Sequence, residues 1–254
     1  MKLRKFFGIL AVGATAVLTS CGNEAADVNK KLVVGTEPTF PPFEMQNTET
    51  GQIIGFDIDM IKAIGKDQGF EVEVRNLGFD GLVPALQTGS IDIAASGMSI
   101  TEKRKKAIFF SNPYINAGLA VAVKADNTQV TSSDKLNGLK AGVQIGSTGA
   151  GKAEELKKAD VLKEVKTFEN VALAMAELLS GGVDVVINDA PVSEAYVNKQ
   201  NGALKLLPGL LQSDSYGFGI RKGNQALLDK VNAGLKNIQE NGTVDQIKAK
   251  YFGK

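Results

Sequence analysis

Short apolar segments alternate in the first part of this chain with segments whose apolar residues recur at helical spacing. Strand-like patterns occur at Lys31–Gly35, Phe70–Val74 and Ile91–Ala95, and the stretches between them predict helices over 55–65 and 82–88. Strand, helix, strand, helix and strand in succession predict a parallel sheet with helices packed on it. The sequence therefore indicates an α/β fold.

In α/β sheets of this kind, ligands bind beyond the carboxyl ends of the strands. Five residues of this first part are expected at or near such ends: Glu37, Phe40, Phe79, Ser96 and Gly97. A glycine there lets a ligand approach the backbone closely, because it has no side chain. We therefore expect a small-molecule site at this edge.

The segment from Ser96 to Arg104 is the most informative part of this region. Thr101 is expected to be a helix N-cap, and Asp80 is expected to cap the helix that precedes this segment. Arg104 would lie in the first helical turn, where its planar guanidinium matches a carboxylate in bidentate fashion. The alternative is one exposed cation in the run Lys103–Lys106, and the segment alone does not separate the two.

The alternating pattern begins again after residue 130. It predicts helices over 133–139, through Lys158 and over 170–180, and strands over 140–145, 165–168 and 183–187. The loop Gly146–Gly151 lacks the Gly-Lys-Ser/Thr ending of a phosphate-binding loop, although the helix that it opens suits an anion. Asp189 follows an apolar strand and precedes Pro191, so it is expected at a second ligand-facing edge, as a helix N-cap, or in both roles.

Two more strands, 204–207 and 216–220, and two closing helices, 225–240 and 243–251, complete the pattern. This order implies two α/β units, with the second inserted into the first. We predict one lobe of residues 31–118 plus 216–254 and a second lobe of residues 119–215. Two crossing segments, Ala117–Val121 and Gln212–Tyr216, would join them.

Composition excludes several function classes. The 29 basic and 28 acidic residues nearly cancel, so there is no electrostatic footprint for nucleic acid. Histidine is absent and Cys21 is the single cysteine, which disfavours metal centres, intrachain disulfides and many catalytic mechanisms. We expect no metal, no cofactor and no catalytic residues.

The first twenty residues are a predicted targeting segment. A cationic start is followed by an apolar core, Phe6–Val17, that is too short for a permanent membrane span. Leu18-Thr19-Ser20-Cys21 resembles a bacterial lipobox, which implies removal of residues 1–20 and lipidation of Cys21. The alternative is an ordinary secretory signal. Residues 21–30 are expected to form a tether from the membrane.

The chain as a whole resembles the extracellular solute-binding proteins of polar amino-acid ABC importers. The motifs that carry the resemblance are Gly35–Glu44, Gly55–Asp59, Phe79–Gln87, Ser96–Lys106, Gly142–Gly149, Asn188–Pro191 and Glu240–Thr243. The resemblance implies a two-lobed type II periplasmic-binding-protein fold, or Venus flytrap, with a hinge. It also implies a monomer that binds a free amino acid outside the cytoplasm, at the cell surface or in the periplasm, and delivers it to an importer permease.

The family's ligand contacts carry over position by position. Arg104 would bind the ligand α-carboxylate, helped by the backbone N–H groups of Ser99 and Thr148. Asp189 and the Gly97 carbonyl would bind the α-ammonium group. Two aromatic rings would enclose the aliphatic part of the side chain: Phe40 and Phe79. Four residues would face its variable end: Glu37, Ser96, Gln144 and Ser147.

The identity of the ligand depends most on Glu37. A buried carboxylate without a partner is costly, so we favour a basic ligand, arginine or lysine, over glutamine. Glutamine stays open, because it could donate its amide to Glu37 and use Gln144 or Ser147. Two other function classes also share the scaffold: enzymes that resemble cyclohexadienyl dehydratases, and sensory receptor lobes, which would require a membrane helix or signalling domain beyond Lys254.

Overall fold

The computed structural model describes residues 31–253. The predicted targeting segment, Cys21 and the tether lie outside these described residues. Strands and helices alternate in the first half in the order β1 (Lys31–Thr36), β2 (Thr39–Phe40), β3 (Glu44–Gln46), β4 (Ile53–Ile54), α1 (Phe56–Gln68), β5 (Glu71–Asn76), α2 (Phe79–Thr88), β6 (Ile93–Ala94), α3 (Glu102–Lys105), β7 (Ile108–Phe110) and β8 (Ile115–Lys124).

The second half continues the same alternation. Its elements are β9 (Lys140–Gln144), α4 (Thr148–Lys158), β10 (Glu164–Phe168), α5 (Val171–Ser180), β11 (Val185–Asp189), α6 (Ala190–Lys199), β12 (Leu204–Leu206), β13 (Gln212–Tyr216), β14 (Gly219–Arg221), α7 (Gln225–Glu240) and α8 (Thr243–Phe252).

Two sheets of matching design form the two lobes. The first has the strand order β5-β1-β6-β14-β7 and the second the order β10-β9-β11-β8-β12, with β13 also paired to β8. In each sheet three parallel strands are followed by antiparallel pairing, to β14 in the first and to β8 in the second. From β1 the chain continues to β5 on one side and then to β6 on the other, and from β9 it continues to β10 and then to β11 in the same way. A doubly wound sheet forms its ligand crevice where the strand order reverses like this.

The crossing segments predicted from the sequence pair with each other. Strands β8 and β13 are antiparallel, with Ile115 opposite Tyr216 and Leu119 opposite Gln212. Ser99, from the loop after β6, forms an isolated bridge with Tyr216. The paired crossings therefore connect the sheet of the second lobe to the binding loop of the first. The lobe boundaries at residues 118/119 and 215/216 stay predictions.

Three local predictions were wrong. Residues 133–139 form turns rather than a helix, because Leu136 is buried and the Ser133 hydroxyl donates to the Gly209 carbonyl at 2.8 Å, which holds the segment against a neighbouring loop. Asp80 is not an N-cap: helix α2 begins at Phe79, so Gly78 occupies the N-cap position and Asp80 lies in the first turn. The expected strand over 216–220 is divided between β13 and β14.

The start of α1 depends on a glycine. Gly55 has φ of 143°, and a Cβ at this position would lie 2.1 Å from the carbonyl oxygen of Phe43. The close approach lets the N–H groups of Phe56 and Asp57 donate to the Pro42 and Phe43 carbonyls, both at 3.0 Å. This contact fixes the first turn of α1 beneath the loop after β6.

We expect Gly55→Ala to destabilise the protein by about 3 kcal/mol or more, because the new methyl group meets backbone atoms and the φ angle disfavours alanine. Gly81→Ala is the matched control. A Cβ at Gly81, inside α2, meets nothing within 4 Å, so that change should stabilise by about 0.4–1 kcal/mol. Urea unfolding of the two variants measures their free energies of unfolding. Equal unfolding midpoints for Gly55→Ala and Gly81→Ala would contradict a structural role for the close contact at Gly55.

Candidate functional site

The carboxyl ends of the parallel strands in the two sheets face each other across a narrow cavity. Its lining residues are Phe40, Phe79, Gly97, Ser99, Arg104, Gln144, Ser147, Thr148, Gly149, Asn188 and Asp189. The free volume is about 10 Å³, so the two lobes are in close contact here. All the predicted binding residues line this cavity except Glu37 and Ser96, which lie beside it. A larger groove of about 1200 Å³ lies along the crossing strands and contains none of the predicted residues.

Arg104 reaches the cavity from α3 of the first lobe. Its backbone N–H donates to the Thr101 hydroxyl at 3.1 Å, so Thr101 is the N-cap that the sequence predicted. The guanidinium donates to the Ser99 carbonyl at 2.8 Å and to the Gly146 carbonyl of the second lobe at 3.0 Å. It also lies over the Phe79 ring, 5.1 Å from the centroid. These contacts exclude the alternative of a freely solvated cation.

Asp189 reaches the same cavity from the end of β11 in the second lobe. It occupies the N-cap position of α6, but its side chain makes no capping hydrogen bond. Instead Oδ2 accepts a hydrogen bond of 2.6 Å from the Tyr216 hydroxyl. The other oxygen, Oδ1, is buried and has no partner among the described residues. Burial raises the pKa of Asp189 to about 7, although the Tyr216 bond and the charge of Arg104 oppose the rise.

Gly97 brings backbone to the cavity in a left-handed conformation that glycine adopts without strain. Its φ is +47°, and a Cβ there would lie 2.6 Å from the Phe40 ring, so a side chain would displace the aromatic wall. The Gly97 N–H donates to Asp57 Oδ2 at 2.9 Å, and the Tyr114 hydroxyl donates to the same oxygen at 2.6 Å. Burial raises the pKa of Asp57 to about 7. The first turn of α1 thus holds the loop after β6.

Glu37 and Ser96 belong to a polar chain at the edge of the cavity. The Ser96 hydroxyl accepts from the Glu37 N–H at 3.0 Å and donates to the buried Glu44 at 3.1 Å. The Glu37 carboxylate accepts from the Thr39 hydroxyl at 2.9 Å and from the Gln144 amide at 3.3 Å. Burial raises the pKa of Glu37 and, more strongly, that of Glu44. Ser96 therefore supports the site, and Glu37 faces the second lobe.

The start of α4 contributes the remaining polar groups. Ser147 is its N-cap and accepts a hydrogen bond from the Ala150 N–H at 3.0 Å. Thr148 is the first residue of this helix, so its N–H is one of the groups that the helix itself cannot satisfy. Such N–H groups favour an anion. The arrangement therefore offers Arg104 and a helix N-terminus at one end of the cavity and Asp189 at the other, which suits a zwitterion.

Sequence reasoning missed several residues that shape the site. Tyr216 and Tyr114 position carboxylates, Asp57 holds the Gly97 backbone, and Asn188 and Gly149 line the cavity. The signal for Asp57 was its position near the start of a predicted helix. No local pattern indicates the tyrosines, because their partners lie 27 and 57 residues away in the chain.

Among residues 31–253, every helix is too short or too polar to span a lipid bilayer. Within the same range, there is no cluster of three or more His, Cys, Asp or Glu side chains that could coordinate a metal ion.

The chain is similar to proteins that bind amino acids. A probable histidine-binding protein from Neisseria gonorrhoeae is 35% identical over 100% of this chain and 97% of its own length. The arginine-binding extracellular protein ArtP from Bacillus subtilis is 31% identical over 96% of each. An ancestral arginine-binding protein has been solved with arginine and with glutamine; both structures are 45% identical, cover 88% of this chain and 98% of theirs, and superpose with TM-scores of 0.83 and 0.81.

The fold of these relatives matches the two-lobed architecture that the sequence predicted. The family profile of bacterial extracellular solute-binding proteins, family 3, matches residues 32–254. It thus covers all the motifs on which the site is built. On this basis the chain belongs to the bacterial extracellular solute-binding proteins of family 3.

Proposed function

We propose that this protein binds a basic amino acid, arginine or lysine, between its two lobes and delivers it to an ABC importer. The observation that carries the proposal is the placement of Arg104 and Asp189, which approach one cavity from opposite lobes. A zwitterion loses its hydration in such a cleft, so each of its charges needs a fixed, opposite partner. Hydrogen bonds to charged groups contribute roughly 1.5–3 kcal/mol each, which is ample for micromolar affinity.

Each residue of the site has a role in this proposal. Arg104 and the N–H groups of Ser99 and Thr148 bind the α-carboxylate. Asp189 Oδ1, which has no partner among the described residues, binds the α-ammonium group together with the Gly97 carbonyl. Phe40 and Phe79 enclose the aliphatic chain, and the variable end of the ligand meets Glu37, Gln144 and Ser147.

The preference for a basic ligand rests on Glu37. Glu37 is buried, with 6% exposure, and its carboxylate accepts hydrogen bonds from two neutral side chains, the Thr39 hydroxyl and the Gln144 amide. A guanidinium or ammonium group would supply the positive charge that this carboxylate lacks. The relatives named for arginine or histidine binding support the same preference.

Glutamine binding is the second candidate. The Gln144 amide and the Glu37 carboxylate together offer a donor and an acceptor, which matches the two sides of a ligand carboxamide. The ancestral arginine-binding protein that has also been solved with glutamine supports this alternative.

Ligand binding is proposed to favour closure of the two lobes about the paired crossings β8 and β13. Hydrogen bonds that join the lobes in the structure include Gln144 to Glu37, Arg104 to the Gly146 carbonyl, Tyr196 to the Thr39 carbonyl and Tyr216 to Asp189. A ligand held by both Arg104 and Asp189 contacts both lobes only when they are together, so it stabilises that state. The importer would recognise the closed form.

Lipidated Cys21 would hold the protein at the outer face of the cell membrane, where a polar tether would let the binding lobes extend away from the lipid surface.

We expect Arg104→Ala and Asp189→Asn each to weaken arginine binding at least tenfold, because one charge of the zwitterion loses its partner. Lys103→Ala is the matched control, since Lys103 is an exposed cation of the same helix and its removal should change affinity less than about twofold. Titration calorimetry gives the affinities and circular dichroism checks the fold. Wild-type affinity in either folded site variant would refute the assigned roles.

A thermal-shift screen of the twenty amino acids tests the ligand. Arginine or lysine should raise the melting temperature most, because a ligand at 100 times its Kd adds about 2.7 kcal/mol of stability. Glu37→Gln should weaken arginine binding at least tenfold and change glutamine binding only a few-fold. If glutamine stabilised the protein and arginine and lysine did not, the proposal of a basic ligand would be wrong and glutamine binding would take its place.

Lipid anchoring is tested separately in cells. We expect Cys21→Ser to release the full-length protein from the membrane fraction, since no other residue is proposed to carry lipid. Immunoblots of membrane and soluble fractions measure the distribution. A variant that sediments with membranes as the wild type does would exclude Cys21 as the anchor.

A further inference from the structure

Two tyrosines lie side by side where the crossing segments leave the first lobe. Tyr114 immediately precedes β8, Tyr216 ends β13, and their ring centroids are 6.4 Å apart. Each hydroxyl donates a hydrogen bond of 2.6 Å to a buried carboxylate, Tyr114 to Asp57 and Tyr216 to Asp189. Both groups that are proposed to bind the ligand ammonium, Asp189 and the Gly97 loop, are thus held from the same junction.

Tyr216 is fixed by the first lobe although its partner belongs to the second. Its ring is fully buried and packs against Phe43 at 5.1 Å and Phe40 at 6.5 Å, and its backbone forms the bridge to Ser99. Asp189 ends a strand that is paired with β8 and β9 of the second sheet. The hydrogen bond between them therefore spans the two lobes.

We propose that Tyr216 is a positioning residue that holds the Asp189 carboxylate for the ligand α-ammonium group and couples lobe closure to that carboxylate. Tyr114 has the corresponding role for the Gly97 backbone through Asp57. This inference rests on the proposed function, because it concerns the ammonium end of the same site.

The geometry divides the two oxygens of Asp189 between two tasks. Oδ2 accepts from Tyr216, which leaves the buried Oδ1 for the ligand. A hydroxyl bonds more strongly to an ionised carboxylate than to a neutral one, so Tyr216 favours the charged form that an ammonium group requires. Separation of the lobes would remove this donor. The Tyr216 bond therefore favours ionised Asp189 in the closed form, although the burial of Asp189 opposes ionisation.

The other groups around Asp189 explain why this donor matters. Arg104 on α3 favours the ionised form, whereas Asp214 on β13 opposes it. Glu44 on β3 also interacts with Asp189, and burial raises the pKa of Glu44 well above its usual value. Burial outweighs these influences and raises the pKa of Asp189 to about 7. The carboxylate is thus balanced near neutral pH, and one hydroxyl donor shifts that balance.

The pH profile of arginine binding by Tyr216→Phe tests the proposal. Wild-type affinity should fall as pH falls below about 7, because Asp189 becomes protonated. In Tyr216→Phe the midpoint should move up by about one pH unit, which makes binding about fivefold weaker at pH 7 but within about twofold of wild type near pH 8.5. A profile parallel to that of the wild type would overturn the proposal.

Tyr196→Phe is the matched control. The Tyr196 hydroxyl also spans the lobes, from α6 to the Thr39 carbonyl at 2.8 Å, but this acceptor carries no charge. Loss of that bond should therefore change affinity by the same factor at every pH, without a shift of the midpoint. A shift equal to that of Tyr216→Phe would assign the effect to lobe contact in general and overturn the specific role of Tyr216.

A ligand-free measurement separates this inference from the proposed function. In a double-mutant cycle of Tyr216→Phe with Asp189→Asn, followed by urea unfolding, the coupling should be larger near pH 8.5 than near pH 5. Its absence at both pH values would refute the inference even if arginine binds. Failure of wild-type protein to bind any amino acid, with the coupling intact, would refute the proposed function and leave the Tyr216–Asp189 contact established without its ligand role.

Discussion

The structure depends on the cost of burying charge between two lobes. Four carboxylates, those of Glu37, Glu44, Asp57 and Asp189, are largely removed from water. Among the described residues, Arg104 is the only cationic side chain that lines the cavity. Each carboxylate has acquired hydroxyl, amide or backbone donors instead of cations. Glu37, which faces the second lobe, accepts hydrogen bonds from the neutral Thr39 and Gln144 side chains, and in the proposed function a cationic ligand would supply its charged partner.

The arrangement of the sheets decides where that charge is placed. Each sheet has a central parallel strand with neighbours on both sides, and the carboxyl ends of the two sheets face each other. Arg104 follows the first crevice and Asp189 follows the second. Because opposite charges are contributed by different lobes, a zwitterion would be held fully only when both lobes contact it. In the proposed function, binding and closure are therefore coupled.

The crossing strands connect the two lobes and also place hydrogen-bond donors next to the buried carboxylates. The tyrosines at their first-lobe end link a buried aromatic cluster to the carboxylates on either side. In the role proposed for them, these tyrosines hold the carboxylates for the ligand in addition to lying at the connection between the lobes. The contacts involved join residues that are 27 and 57 positions apart in the chain.

The sequence by itself determined the α/β class, the two-lobe order, the Thr101 cap and most of the residues that line the cavity. It could do so because strand and helix periods are local, and because the residues at strand ends are adjacent in sequence to the strands. Only the tertiary structure decided that residues 133–139 stay in turns, that Ser96 supports rather than lines the cavity, and that Asp189 turns from its cap position to Tyr216. These outcomes depend on hydrogen bonds to residues that are distant in the sequence, and the periodicity of a local segment carries no information about such partners.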